Sequence, residues 1–387
     1  MQKLDFNNTE IAFQGKSKAE IKRAYYLFKL VNKKSLVSFG KAATDISLKL
    51  HLPINWLIKS TIFAHFCGGE NIQECQKTIN KLSNSNIGTI LDYSVEGKGK
   101  LEDFERCKNE VIKTIIKAKG NSNIPFSVFK VSGIANIEVL EEVCSGKSLS
   151  ENTKLEFEQI KNRMEEICLN AYNNNVQIFI DAEETCIQQA IDDIVLELMM
   201  KYNKERAIIF NTLQMYRPDR VEFLKQLYNE ALNSNFKIGV KLVRGAYMEK
   251  ERERAVKLGY PSPINTTKAE TDNCYDEAVK FCIKHIDTIS VCAATHNEKS
   301  SMLLANLMEN NNIPKNHPNI YFAQLLGMSD HISYNLANAG YNVAKYVPYG
   351  PVKDVLPYLI RRAEENTSVA GQSSRELELI ERYKVNG

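Results

Sequence analysis

The chain has 387 residues, with 50 basic and 47 acidic side chains mixed along it for a formal net charge of +3, and no basic tail or stripe that would track a nucleic-acid backbone. No apolar run approaches the ~20 residues of a membrane span, and the opening Met1-Gln-Lys-Leu-Asp-Phe-Asn-Asn8 lacks a signal-peptide core. A cytoplasmic protein is expected, with no nucleic-acid partner and no transmembrane segment, and its nine cysteines, an odd set without a Cys-x-x-Cys pair, read as reduced thiols.

Residues 1–85 are expected to form a helical arm. Ser17 and Glu20 make a capping box ahead of Ile21, Ala24, Tyr25, Phe28 and Val31, whose spacing is helical. Pro53 opens a second helical stretch, Ile54 to Phe66, which holds the single tryptophan, Trp56, and stops at Cys67-Gly68-Gly69, where the glycines supply a stop signal. Polar turn formers from Lys81 to Asn86 close the arm.

From residue 86 to 387, short β-branched runs alternate with longer stretches of helical period, the sign of βα units and a parallel sheet. The runs are Thr89 to Ser94, Phe126 to Ser132, Val176 to Asp181, Ala207 to Gln214, Ile238 to Val243, Ile289 to Ala294, Asn319 to Gln324 and Asn342 to Val347. The fold expected is α/β, a (β/α)8 TIM barrel, because eight such units in about 280 residues match it better than an open sheet, and the chain exceeds the roughly 250 residues such a barrel needs and leaves room for the arm. Asn173-Asn-Asn175 and Asn310-Asn-Asn312 read as solvated loops.

Barrel active sites form at the C-terminal ends of the strands, so the polar residues closing each run become candidates. They are Lys130; Asp181 with Glu183 and Glu184; Gln214 and Tyr216; Lys241 and Arg244; Thr295, His296 and Asn297; and Tyr346. Singly, each has a plainer reading, since a strand-end Asp often caps a helix and a lone His is more often a hydrogen-bonded neighbour than a catalyst. Their recurrence at equivalent strand ends points to a site. The stretch Lys237-Ile-Gly-Val-Lys-Leu-Val-Arg-Gly-Ala-Tyr247 is the most informative, because a strand apolar on both faces carries two cations into a Gly-Ala turn, where an anionic ligand or cofactor could sit. In the last helix, Arg361 and Arg362 precede Glu365 by four and three residues, which suits surface ion pairs or a carboxylate gripped between adjacent arginines. Charged strand ends alone name no cofactor. A metal-dependent lyase or aldolase, with Asp181, Glu183 and Glu184 on Mg2+ and Lys130 or Lys241 as base, stands beside a flavin enzyme, and a non-catalytic binding module stands behind both.

Tyr346-Val-Pro-Tyr-Gly-Pro through Tyr358-Leu-Ile-Arg-Arg-Ala-Glu-Glu-Asn366 resembles the proline dehydrogenase family. Lys241-Leu-Val-Arg-Gly-Ala-Tyr247, Ile180-Asp-Ala-Glu183, Ala294-Thr-His-Asn297 and Leu325-Leu-Gly-Met328 resemble its other blocks, in the same order, over roughly Gly88 to Glu381. The resemblance implies a monofunctional enzyme on a distorted (β/α)8 barrel that binds FAD without a covalent link, takes no metal, and oxidises L-proline to Δ1-pyrroline-5-carboxylate by hydride transfer from C5 to flavin N5. It implies that Lys130, Asp181 and Lys241 stand at the chemistry. Lys130, Arg361 and Arg362 would hold the proline carboxylate, and Leu325 and Tyr346 would pack on the ring. Ala182, Gln214, Lys241, Val243, Arg244, Gly245, Ala246, Tyr247, Thr266, Lys268, Thr295, His296, Asn297 and Glu365 would surround FAD. Where many bacterial members read Arg-Leu-Val-Lys, this chain reads Lys241-Leu-Val-Arg244, with the two cations exchanged, and lysine cannot fork as arginine does.

Oxidation at C5 needs the neutral amine, whose pKa of about 10 a cationic pocket would lower, so the rate should rise with pH. Asp181 is expected to anchor Lys130 rather than abstract a proton. Electrons are expected to pass to a quinone-type acceptor, with peripheral contact at the inner face of a membrane a means of reaching it. The chain leaves no room for a second dehydrogenase domain, so a separate pyrroline-5-carboxylate dehydrogenase is expected to take the product.

Overall fold

The β-branched runs do become strands, and eight of them close into a parallel barrel in chain order: β1 Ile87–Tyr93, β2 Phe126–Lys130, β3 Gln177–Asp181, β4 Ile209–Gln214, β5 Ile238–Val243, β6 Ile289–Ala294, β7 Ile320–Leu325 and β8 Val343–Tyr349. This is the (β/α)8 barrel expected from the alternation. The computed structural model describes residues 4–31, 55–95, 99–368 and 372–386, and the side chains at 31, 55, 57, 361–368, 372–374 and 385–386 lie outside that description. Among the described residues no helix is long and apolar enough to cross a membrane.

The chain divides into two compact units, residues 96–323 and residues 1–95 with 324–387. In the first, register pairs Lys130 with Asp181, Phe179 with Phe210, Thr212 with Lys241, and Lys241 with Cys292. Which face points inward is fixed by aromatic contacts. Phe126 of β2 stacks on Phe179 of β3 with ring centroids 4.3 Å apart, and meets Tyr321 of β7 edge-on at 4.8 Å. Strands β2 and β7 are not neighbours, so these rings fill the interior, and every second residue along each strand shares their face. Helices lead back to the strands through left-handed asparagines, Asn86, Asn175, Asn235 and Asn312, with φ between 51° and 57°. That explains the asparagine-rich junctions in the sequence.

Strand ends differ from expectation by a residue or two, for local reasons. β2 stops at Lys130 because Val131–Gly133 coil into a 3-10 turn closed by the Ile134 amide on the Val131 carbonyl at 2.9 Å. β8 runs on through Pro348 to Tyr349. There the Pro348 carbonyl accepts from the Gly68 amide at 2.9 Å, and Gly69 bridges Tyr349 in parallel.

In the unit formed by residues 1–95 and 324–387, the expected capping box is present, with Ser17 N donating to Glu20 Oε2 at 2.8 Å and Glu20 N to Ser17 Oγ at 3.3 Å at the head of the helix Lys18–Val31. The stretch after Pro53 is not one α-helix. It is a turn of α-helix at Asn55–Ile58, a π-helical turn at Lys59–Phe63 and a last α-turn at Ala64–Phe66, while Pro53 and Ile54 lie outside the described residues. Phe63 and Phe66 of this stretch pack with Val355 and Leu359 of the helix Val352–Ser368. A further helix, Gln372–Asn386, which the sequence reading did not single out, buries Leu379 and Ile380 against Phe13, Ala24 and Phe28.

The stretch stops at Phe66, ahead of an extended Cys67, as expected, and the glycines at 68 and 69 also serve close approach. A Cβ on Gly68 would lie 2.5 Å from Val347 Cγ1 and 2.9 Å from Cys75 Sγ. Both neighbours are held in buried elements, so Gly68→Ala should cost about 1–3 kcal/mol through overpacking. The cost should appear as a lower urea midpoint with an unchanged slope, and an unshifted midpoint would show that β8 and the helix Ile72–Ser83 yield freely.

Candidate active site

Two residues beyond Phe179 on the inner face stands Asp181, the last residue of β3. Its carboxylate forms an ion pair with Lys241 of β5, and its second oxygen lies 3.5 Å from Lys130 Nζ at the end of β2. Lys241 Nζ also lies 5.3 Å from the centre of the Phe179 ring. Lys241 is buried, whereas the side chains of Asp181 and Lys130 keep 15% and 27% of their surface, so the cluster opens toward solvent on the Lys130 side. Burial alone would raise the Asp181 carboxyl. Lys241 and then Lys130 outweigh it and hold the group below the ordinary carboxylate value. An ionised carboxylate pinned by two ammonium groups is a poor base, and its effect is to aim both lysines.

The other two carboxylates of the metal-lyase reading are committed elsewhere. Glu183, whose carboxyl burial pushes up, accepts the Ser132 amide at 2.7 Å, and Glu184 pairs with Lys250 at 3.1 Å. Among the described residues no group of three acids, histidines or cysteines is placed to hold a metal.

Beyond the ends of β4 and β5 the two chains continue together, with Met215 N donating to the Val243 carbonyl at 2.8 Å and Tyr216 N to the Arg244 carbonyl at 2.7 Å. Gly245 follows with φ of +123°, and a Cβ there would lie 2.5 to 2.6 Å from the Tyr216 ring, so only glycine fits this turn. Ala246 is exposed and Tyr247 is buried at the head of the helix Met248–Leu258. Gln214 Oε1 and the Tyr216 hydroxyl are both buried without a hydrogen-bond partner. Ala182, the residue after Asp181, is half-buried.

Each nitrogen of the Arg244 guanidinium finds an acceptor within the protein. Nε donates to Asp272 at 2.7 Å, one terminal nitrogen to Thr295 Oγ1 at 2.7 Å and the other to Ser300 Oγ at 3.0 Å, and the group lies 4.4 Å over the Tyr275 ring. Asp272 also takes Lys268 at 2.5 Å, and Ser300 passes its own hydroxyl to Asp276 at 2.6 Å. Asp272, Asp276 and Ser300 were not singled out in the sequence, since nothing but their place on a helix face marks them. Thr266 is exposed and its carbonyl accepts from Arg252 at 3.3 Å. Thr295 Oγ1 also accepts the Asn297 amide at 3.1 Å; His296 between them is half-buried, and Asn297 caps the helix Glu298–Asn310 by accepting from Lys299 and Ser300 amides at 2.9 and 3.1 Å.

Leu325 and Tyr346 belong to the other unit. Tyr346, buried in β8 opposite Ile90, accepts the Leu326 amide on its carbonyl at 2.8 Å, and the Leu325 carbonyl accepts from Lys345 at 3.3 Å. Arg361, Arg362 and Glu365 fall in the helix Val352–Ser368, and their side chains lie outside the described residues.

The family model for proline dehydrogenase matches residues 75–375. Proline dehydrogenase 1, mitochondrial, of Dictyostelium discoideum is 34% identical over 417 residues, covering 96% of this chain and 73% of its own length. The Homo sapiens protein of the same name is 39% identical over 234 residues, covering 60% of this chain and 39% of its own length. The solved structure of proline utilization A from Bdellovibrio bacteriovorus superposes with a TM-score of 0.74 at 19% identity, over 97% of this chain and 41% of that one, which is a likeness of fold. The two named relatives overturn the expectation of a cytoplasmic protein, because both are mitochondrial. A missing signal-peptide core bears on secretion and does not separate cytoplasm from mitochondrion.

The Asp181 cluster makes a prediction about stability. Asp181→Asn leaves Lys241 buried without its counter-charge and should cost about 3 kcal/mol, the low end for breaking a buried pair because the carboxylate keeps some solvent contact. The carboxyl is depressed in the folded state, so its contribution is full above the unfolded value of about 4 and fades as pH falls through the lower folded value. Urea midpoints of the two proteins should therefore differ most at pH 6–8 and converge in acid, and a pH-independent gap would show that Asp181 acts through packing alone.

Proposed function

The chain belongs to the proline dehydrogenase family, and we propose that it oxidises L-proline to Δ1-pyrroline-5-carboxylate with FAD as its flavin, Lys130 and the arginines of the last barrel helix holding the substrate carboxylate. Membership makes it a flavin-dependent oxidoreductase that takes the first step of proline catabolism. The observation that carries the proposal for the site is the Asp181 cluster, two lysines sharing one carboxylate on the barrel's inner face, with the ammonium of Lys130 on its open side. A small acid suits that charge.

The polar end of β4 and β5 fits a flavin. Gln214 Oε1 and the Tyr216 hydroxyl need hydrogen-bond partners, Gly245 lets the backbone turn tightly above the Tyr216 ring, and a flavin ring presents both donors and acceptors at its edge. Gln214, Lys241, Val243 and the Gly245-Ala246-Tyr247 turn would hold the ring, with Ala182, Thr266, Lys268, Thr295, His296, Asn297 and Glu365 around the rest of FAD. Arg244 would act from behind by fixing Thr295 and Asp272. A bound flavin supplies a two-electron acceptor.

The chain's own residues supply position and charge. Lys130, aimed by Asp181, would orient the proline carboxylate, and Arg361 and Arg362 would add forked hydrogen bonds. Leu325 and Tyr346 would pack on the ring and keep water from it. The same cations disfavour a further positive charge on the substrate amine, so they favour its neutral, oxidisable form and a rate that rises with pH. Electrons would pass onward to a quinone-type acceptor and the product to a separate pyrroline-5-carboxylate dehydrogenase.

The visible spectrum tests the cofactor and the substrate together. The purified protein should be yellow, release FAD on denaturation, and bleach with L-proline under anaerobic conditions without NAD. Protein that stays colourless after incubation with FAD, or that proline fails to bleach, would sink the proposal.

Tyr346 tests the substrate's placement. An aromatic wall gives dispersion contact to a methylene but little room for an added oxygen, whereas a merely hydrophobic pocket rejects a hydroxyl by only about a hundredfold. Proline should be preferred over trans-4-hydroxyproline, and Tyr346→Ser should lower kcat/KM for proline while narrowing or reversing the preference. If both efficiencies fall equally and their ratio holds, Tyr346 does not face ring carbon 4.

A further inference from the structure

Within the unit of residues 1–95 and 324–387 lies a polar cavity of about 100 Å³, walled by Lys16, Glu20, Arg23, His65, Lys81 and Asp330. None of these residues belongs to the proposed site. We infer that this cavity is a binding site for a small oxyanion, a carboxylate or a phosphate, taken by the guanidinium of Arg23.

The argument rests on how the charges are spent. Lys81 pairs with Glu20 at 2.5 Å, and Glu20 also accepts the Ser17 amide at 2.8 Å and the Ser17 hydroxyl at 2.9 Å. Lys16 pairs with Asp330, and Asp330 is shared with the fully buried Lys345 at 2.6 Å. Both carboxylates are thereby saturated, and three cations face the cavity against two anions. Among the described residues Arg23 makes a single hydrogen bond, from a terminal nitrogen to the Ala64 carbonyl at 3.3 Å, and its Nε is buried without a partner.

A guanidinium donor sealed from bulk water is costly to leave unmet, and its planar fork matches an oxyanion better than a spherical ion. His65 does not supply the missing acceptor. Its Nε2 lies 2.9 Å from the Gly327 carbonyl and donates to it, burial first and then Lys16 lower its pKa to about 3 and keep the ring neutral, and its other nitrogen, though an acceptor, makes no hydrogen bond with Arg23 Nε. The space is several times the roughly 10–15 Å³ that one water requires, enough for a carboxylate or phosphate with accompanying water.

The test is a titration of the whole protein, by calorimetry and by thermal unfolding, with inorganic phosphate in one arm and acetate in the other, against sodium chloride at matched ionic strength. At least one oxyanion should bind saturably and raise Tm, and the arm that does so identifies the source. Arg23→Gln should weaken that response about tenfold, the loss of one charge-assisted contact, while proline turnover stays at the wild-type level. Should Arg23→Gln fail to fold, Arg23→Lys keeps the charge, removes the fork and should weaken binding in the same direction. A response equal to that of chloride, equal titration of the variant and the wild type, or parallel loss of turnover and anion response would each overturn the inference.

Discussion

The carboxylate of Asp181, shared between Lys241 and Lys130 above a floor of stacked phenylalanines, is the constraint on which the rest of the barrel interior depends. A lysine four-hundredths exposed is costly to bury unless an anion meets it, and here the anion comes from β3, which is not a neighbour of β5. Asp181 and Lys241 are 60 residues apart and separated by β4, so the ion pair spans the interior. Below it, Phe126, Phe179 and Phe210 exclude water. Above it, Lys130 remains partly open at the strand ends.

The exchanged cations of Lys241-Leu-Val-Arg244 make sense against this geometry. At 241 the need is a point charge at the end of a slender stem, rising past the Phe179 ring to a single carboxylate, and lysine meets it. At 244 the need is three donors in fixed directions, one each for Asp272, Thr295 and Ser300, and only a guanidinium supplies them. With an arginine at 244, the ends of β5 and β6 and the two helices that follow are tied at one group. The doubt raised by a lysine at 241 is thus confined to what it offers a cofactor, while its place in the protein is well founded.

Much of this could be read from the chain beforehand. β-branched runs gave the strands within a residue or two, and Ser17 with Glu20 marked a helix start, because both signals are local. Motifs such as Lys241 to Tyr247 carried the family. What escaped depends on contacts distant in sequence. Gly68 and Gly69 read as a stop signal, and the helix does stop there, but their close approach to Val347 and Glu74 did not show, since nothing near Gly68 announces Val347. Asp272 and Ser300 are ordinary helix residues until Arg244 reaches them. The π-helical turn at Lys59–Phe63 and the helix Gln372–Asn386 follow from packing on other helices rather than from capping residues.

β4 shows how the two faces of one strand divide their tasks. Asn211 points outward, where Asp192 accepts its amide at 2.9 Å and Arg220 holds the same carboxylate at 2.6 Å, so its polarity is met within the protein. Gln214, three residues on and therefore on the opposite face, is equally buried but has a carbonyl with nothing to accept from. Two amides on one strand, both sealed from bulk water, face the same desolvation cost, and only the outer one recovers it from the fold. The inner amide keeps an unmet acceptor at the end of β4, beside Val243 in register and within the turn that Gly245 makes, and the flavin proposed for this place would meet it.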